Sequence, residues 1–200
     1  MAKINSYPAY LETPYKAYLC GTEGCGKNWQ AEQICKDHTR LCVFDPMQNW
    51  TQAKTFIAGD LMELSKALKK KQFRIAFRPN IYGLKEQFDI FNKMVFAVGR
   101  MMLVEDEINM VTYAHHTPAS MLNVTSRSRH RGIYMLAMSQ RPAETGKSYI
   151  SNATEVYAGN LSAATDLKIL REKIGVDFVK DLPNLPLRKM KHWKRPQFEG

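Results

Sequence analysis

Two hundred residues make one good-sized domain with room for a core, and 44% hydrophobic content with a mean hydropathy of -0.39 fits a soluble globular chain. The 29 Lys and Arg against 19 Asp and Glu leave a net charge of +10, which favours a polyanionic partner, nucleic acid before acidic membrane. The 4 cysteines, Cys20, Cys25, Cys35 and Cys42, form no C-x-x-C pair and no zinc-finger spacing with histidine, so they read as core or loop thiols in a reducing compartment.

The opening MAKINSYPAYLETPYK has no apolar core segment, so no secretory signal is expected. KAYLC (16–20) predicts a short strand running into the glycine loop GTEGCGK, and residues 27–38 then predict a helix. RLCVFDP (40–46) is an apolar run closed by Asp45 and Pro46, a buried strand. Leu61, Leu64 and Leu68 have helical spacing within 60–71, while FRIAFRP (73–79) alternates and stops at a proline. A helical stripe through Phe88, Phe91, Val95 and Val98 covers 84–100, and MMLVE (101–105) is another buried strand. Pro118 suits the first turn of a helix over 118–128. GIYMLAMSQ (132–140) and EVYAGN (155–160) predict strands, and a last helix runs from about 163 to 173. The longest apolar region, MVFAVGRMMLV, is broken by Arg100 and too short to span a bilayer, so an intracellular chain without a membrane anchor is expected.

This alternation predicts an α/β domain over 1–181, a mostly parallel sheet flanked by helices, with ligands at the carboxyl ends of the strands. After Asp181 the composition turns Pro-rich and basic, and 182–200 reads as a tail or arm. Its Arg188, Lys189, Lys191, Lys194 and Arg195 have no acidic residue among them before Glu199, so they are expected free of internal ion pairs. Trp193 and His192 among them could pack on a neighbour or on a nucleic-acid backbone.

Three groups carry chemistry. Gly21, Gly26 and Lys27 match the phosphate-loop spacing, in which backbone N–H groups and a helix N-terminus converge on phosphate oxygens and the lysine adds a point charge. Residues Gly21, Thr22, Glu23, Gly24, Cys25, Gly26, Lys27 and Asn28 are therefore the candidate nucleotide cradle. Asn28 stands where a metal-binding Ser or Thr is usual, and its amide oxygen is a donor that Mg²⁺ accepts. Glu23 avoids repelling the phosphates only if its side chain points outward. The second group is MMLVEDEIN: acids ending an apolar strand supply a magnesium ligand, assigned to Asp106, and a general base, assigned to Glu107. Glu105 sits at a normally apolar position, and the pair Glu105–Asp106 is the alternative. The third is TSRSRHRGIYMLAMSQRP, where Gln140 closes a buried strand and can orient water or sense the terminal phosphate. Arg127, Arg129 and Arg131 precede that strand and read either as a finger into a neighbouring subunit or as a basic patch.

The order of phosphate loop, VFDP strand, DE strand terminus and RHRGIYMLAMSQRP resembles the HerA/FtsK superfamily of DNA-translocating ATPases, over roughly residues 16–160. Within it the likeness is greatest to genome-packaging ATPases of membrane-containing icosahedral viruses. The resemblance implies a RecA-like P-loop fold of the additional-catalytic-glutamate type, with ATP and Mg²⁺ as cofactors. It also implies a hexameric or pentameric ring around double-stranded DNA, a capsid or portal-vertex partner, and a location in the host cytoplasm or the virion. By the family pattern Lys27 binds phosphate, Asp106 holds magnesium through water, Glu107 is the base, Gln140 the sensor and Arg129 the best arginine finger. The rival readings are a filamentous-phage-type, zonular-occludens-like assembly ATPase on single-stranded DNA, a DNA-associated protein that binds nucleotide without hydrolysis, and a small-molecule kinase.

Overall fold

The computed structural model describes residues 7–52, 54–113 and 115–196. Its strands are β1 (Lys16–Cys20), β2 (Arg40–Phe44), β3 (Phe56–Ala58), β4 (Phe73–Phe77), β5 (Met101–Glu105), β6 (Ile133–Ser139), β7 (Glu155–Ala158) and β8 (Lys191–Lys194). They form one 8-stranded sheet in the order β3-β4-β2-β5-β6-β1-β7-β8, in which every described pairing is parallel except β7 with β8. The helices are α1 (Lys27–Cys35), α2 (Leu61–Leu68), α3 (Leu84–Val98), α4 (Ala119–Arg127), α5 (Lys147–Asn152), α6 (Ala164–Ile174) and α7 (Val176–Val179).

Alternate side chains of each central strand feed two cores, as a sheet covered on both faces requires. Tyr18, Cys20, Met101, Leu103, Met135 and Ala137 point into the larger core. Ala17, Leu19, Met102, Val104, Leu136 and Met138 point into the smaller one, with Ala31 and Cys35 of α1. The Phe88–Phe91–Val95 stripe of α3 packs on the larger face, where Phe44 meets Phe88 at 4.8 Å and Phe91 at 5.3 Å between ring centroids. Asp60 caps α2 by accepting from Glu63 N at 2.8 Å, and Glu63 reaches back to Gly59 N at 2.8 Å.

The basic C-terminal stretch differs from its expected form. Residues Lys191–Lys194 are not an arm but the antiparallel edge of the sheet, Val156 pairing with Trp193 and Tyr157 with His192. Lys191 is also not free of ion pairs: its ammonium lies 3.0 Å from Asp181 and donates to the Asp177 carbonyl. His192 stacks on Tyr157 at 4.1 Å, and Trp193 packs against the larger core beneath Lys173, so both rings are engaged within the chain. Arg188, Lys189, Lys194 and Arg195 remain exposed; the expected end of the basic run, Glu199, lies outside the described residues. Among the described residues no helix is long and apolar enough to cross a membrane.

Candidate nucleotide site

The sheet order decides what meets. With β5, β6 and β1 adjacent and parallel, their carboxyl ends bring together Asp106–Glu107, Gln140 and the loop from Gly21 to Lys27. At this junction lies a cavity of about 770 Å³, a size suited to a nucleotide, lined by Lys27, Asn28, Glu107 and Gln140 among others.

The loop's shape follows from two glycines and a sulfur. Gly26 takes φ 101 at the start of α1, a left-handed conformation that side chains rarely adopt. At Gly21, with φ 146, a Cβ would lie 2.6 Å from Cys25 Sγ, and at Gly159 it would lie 2.7 Å from the same sulfur. Cys25 is thus wedged, fully buried, between the loop's first glycine and the end of β7. The loop is also tied to the next segment by Thr22 N donating to Asn160 O at 2.9 Å. Lys27 is buried and its ammonium donates to Gly21 O at 2.7 Å and Thr22 O at 3.3 Å, held over its own loop. Asn28 is half-buried on the cavity wall, and Glu23, although it also lines the cavity, is exposed to solvent.

Beyond β5 the three acids part company. Glu105 shares the strand face of Met101 and Leu103, is fully buried, and is absent from the cavity wall. Burial pushes its carboxyl up to about 8, which a side-chain contact with Asn92 only partly offsets. Asp106 is nearly buried; desolvation first, then the negative charges of Glu107 and Asp45, raise it to about 7, against the opposing pull of Lys27. Glu107 stands at φ 46, ψ 51, with its N–H donating to Asp106 Oδ1 at 2.9 Å. A left-handed glutamate costs roughly 1–3 kcal/mol, and here the strained backbone turns the side chain into the cavity, where Gln140 Nε2 donates to Glu107 Oε1 at 2.9 Å. Gln140 is held in turn from behind. The next residue, Arg141, donates to the buried Asp166 of α6 at 2.8 Å, and Ala143 N donates to the other Asp166 oxygen at 2.8 Å.

Arg127 and Arg129 lie elsewhere. They precede β6, at the opposite end of the sheet from Gln140, about 20 Å away for a 7-residue strand. Arg129 sits over Tyr10 at 5.5 Å, Arg127 over Phe96 at 5.4 Å, and Arg131 donates to Phe96 O at 2.8 Å. None of the three lines the cavity of its own chain.

Sequence reasoning passed over several residues of this site. Asp45, read only as the end of a strand, is fully buried beside Asp106, accepting from Asn49 N at 2.8 Å and from Arg78 Nε at 3.0 Å. In sequence it only closes an apolar strand; its place beside Asp106 comes from β2 lying next to β5 in the sheet. Trp29, Met47, Asn49 and Arg188 also line the cavity, and no spacing rule singles them out.

Comparison with solved structures identifies the architecture. The genome packaging NTPase of Sulfolobus turreted icosahedral virus 2, solved in complex with ATP-gammaS, superposes with a TM-score of 0.72 at 13% identity, covering 92% of this chain and 93% of that one. The fold is that of a P-loop NTPase, a mostly parallel sheet flanked by helices. The fold is shared as well with VirB4 of Thermoanaerobacter pseudethanolicus, at a TM-score of 0.59 and 12% identity over 94% of this chain and 91% of that one. Among curated proteins, Protein P9 of Pseudoalteromonas phage PM2 is 19% identical over 183 residues, covering 88% of this chain and 83% of the phage protein. No family model matches the chain.

Proposed function

We propose that this chain is an ATP-hydrolysing motor that packages viral double-stranded DNA into a capsid. The observation that carries it is the Glu107–Gln140 pair, 2.9 Å apart, facing the same cavity as Lys27. A loop that only bound nucleotide needs no carboxylate–amide pair from two neighbouring strands; hydrolysis needs a base and a group that orients water.

Lys27 exchanges its loop carbonyls for the β- and γ-phosphates when nucleotide enters. Gln140 orients the attacking water against Glu107, and Glu107 accepts its proton. Asn28 on the cavity wall and Asp106, next in sequence to the lining Glu107, offer the hard oxygen donors that would hold a Mg²⁺ ion. When bound, that ion supplies charge neutralisation at the phosphates. Glu105, buried and off the cavity wall, does not fit the base role. Arg127 and Arg129 lie too far from their own cavity to serve it, which supports a ring in which Arg129, with Arg127 beside it, reaches the neighbour's nucleotide. Likeness in fold to a viral genome packaging NTPase supports the packaging role, with a capsid or portal-vertex protein as partner in the host cytoplasm or virion. The net charge of +10 supports a duplex threaded through that ring.

The test is ATP hydrolysis with and without DNA. Wild type should be stimulated by duplex more than by single strands, and Glu107→Gln should keep ATP binding while losing at least about a hundredfold in turnover. Equal turnover in the variant removes Glu107 as the base, and stimulation by single strands alone replaces packaging with a single-strand assembly role.

A further inference from the structure

Arg188 belongs to the stretch read as a tail, yet it lines the same cavity as Lys27 and Glu107. Its placement is built. Pro186 O accepts from Lys189 N at 3.1 Å, closing a turn in which Arg188 holds φ 63, a conformation that turns normally give to Gly or Asn. The turn rests on the phosphate loop: a Cβ added at Gly26 would meet Arg188 Cα at 3.3 Å. Anchors stand on both sides. Asn160 Nδ2 donates to Pro183 O at 2.9 Å and Leu185 O at 3.1 Å while Asn160 O accepts from Thr22 of the loop, and Met190 packs into the smaller core just before β8.

Sheet order fixes the side from which Arg188 arrives. β1 delivers the loop; β6 and β5 on one side deliver Gln140 and Glu107, and β7 and β8 lie on the other. Arg188 leads into β8, so it meets the loop from the side away from the pair that acts on the terminal phosphate. What remains of the ligand on that side is the nucleoside. Trp29, 63% exposed, lines the same cavity and has an indole free to stack on a ligand. A guanidinium and an indole are the side chains best suited to the two faces of a purine.

We propose that Arg188 is a nucleotide-binding residue of its own subunit, holding the nucleoside portion of a purine nucleotide together with Trp29. The segment before β8 is then one wall of the site, not a spectator. This rests on the reading of the cavity as the nucleotide site.

Calorimetric titration of the full chain with ATP, ADP and inorganic tripolyphosphate tests it. Arg188→Ala should weaken ATP and ADP alike by about tenfold and leave tripolyphosphate unchanged. Arg188→Gly, which relieves the left-handed backbone, should lose as much, because the side chain and not the strain carries the effect. Melting without nucleotide checks that both variants keep β8 in place, and each should show a smaller rise in Tm on adding ADP than wild type does. Unchanged ADP affinity in both variants overturns the assignment to Arg188. An equal loss for tripolyphosphate overturns the assignment to the nucleoside. A wild-type chain that binds neither ATP nor ADP overturns this inference and the cavity reading together.

Discussion

Glu105 shows how one carboxyl is tuned by its place on a strand. Burial lifts its folded pKa to about 8, above the 4.5 usual for a glutamate, so the folded chain holds the proton more tightly than the unfolded one. Stability is therefore full below about pH 4.5 and falls as pH rises towards 8. Glu105→Gln keeps the shape without the ionisation. It should raise stability at pH 8 by a few kcal/mol, on the order expected for several pK units, and change it little at pH 4. Denaturant melts at the two pH values measure it, and equal gains at both would mean that ionisation at Glu105 plays no part. Asn28 is the other residue with a sharp consequence. If its amide is a weaker metal ligand than a hydroxyl, Asn28→Thr should lower the Mg²⁺ concentration for half-maximal hydrolysis several-fold; an unchanged requirement takes Asn28 out of the metal's shell.

At the scale of elements, strength follows burial. Phe88 of α3 is fully buried and meets Phe44 of β2, so Phe88→Ala should cost about 3–5 kcal/mol of unfolding free energy in denaturant melts. The same contrast explains what the residues foretold. Strands with continuous apolar runs, such as MMLVE and the strand from Ile133, are legible because a parallel strand buried on both faces has no polar alternation to confuse with a loop. FIA of β3 has only 3 residues with two of them exposed, and KHWK of β8 reads as charge; both are edge strands with one paired side, and the lysines of β8 block further pairing. The phosphate loop and the pair at 106–107 were legible from spacing because they are local in sequence. Arg188 and Asp45 were not, because their roles come from contacts across the sheet that no window of sequence contains. Removing residues after Leu187 therefore takes away a strand, and loss of DNA binding in such a truncation would be ambiguous. Neutralising the exposed Lys189, Lys194 and Arg195 instead keeps β8. If these touch phosphates, the log–log salt slope of duplex binding should flatten by about one for each lost contact; an unchanged slope assigns them to a protein partner.

For the whole molecule, the proposed motor draws on residues that one chain holds at opposite ends of β6. Gln140 faces the cavity and Arg129 faces away from it, at the far end of the same strand. In a ring the two ends serve different sites. Arg129→Ala and Glu107→Gln should each be inactive alone, yet mixing them should restore part of the hydrolysis. Some interfaces would then pair an intact glutamate with an intact arginine from the neighbour. Activity that stays at the level of the single variants in the mixture rules out action across subunits.

The sulfur wedged between Gly21 and Gly159 turns the phosphate loop into its own clock. Cys25 is sealed at rest, so a thiol-labelling reagent reaches it only when the loop swings out, and the labelling rate counts those excursions. Cys20, Cys35 and Cys42 are buried in β1, α1 and β2, where exposure demands breaking the sheet or its covering helix and comes far more slowly. A nucleotide that clamps the loop should slow the fast phase and leave the slow ones untouched. The chain thereby reports, without any introduced probe, how often an empty site breathes.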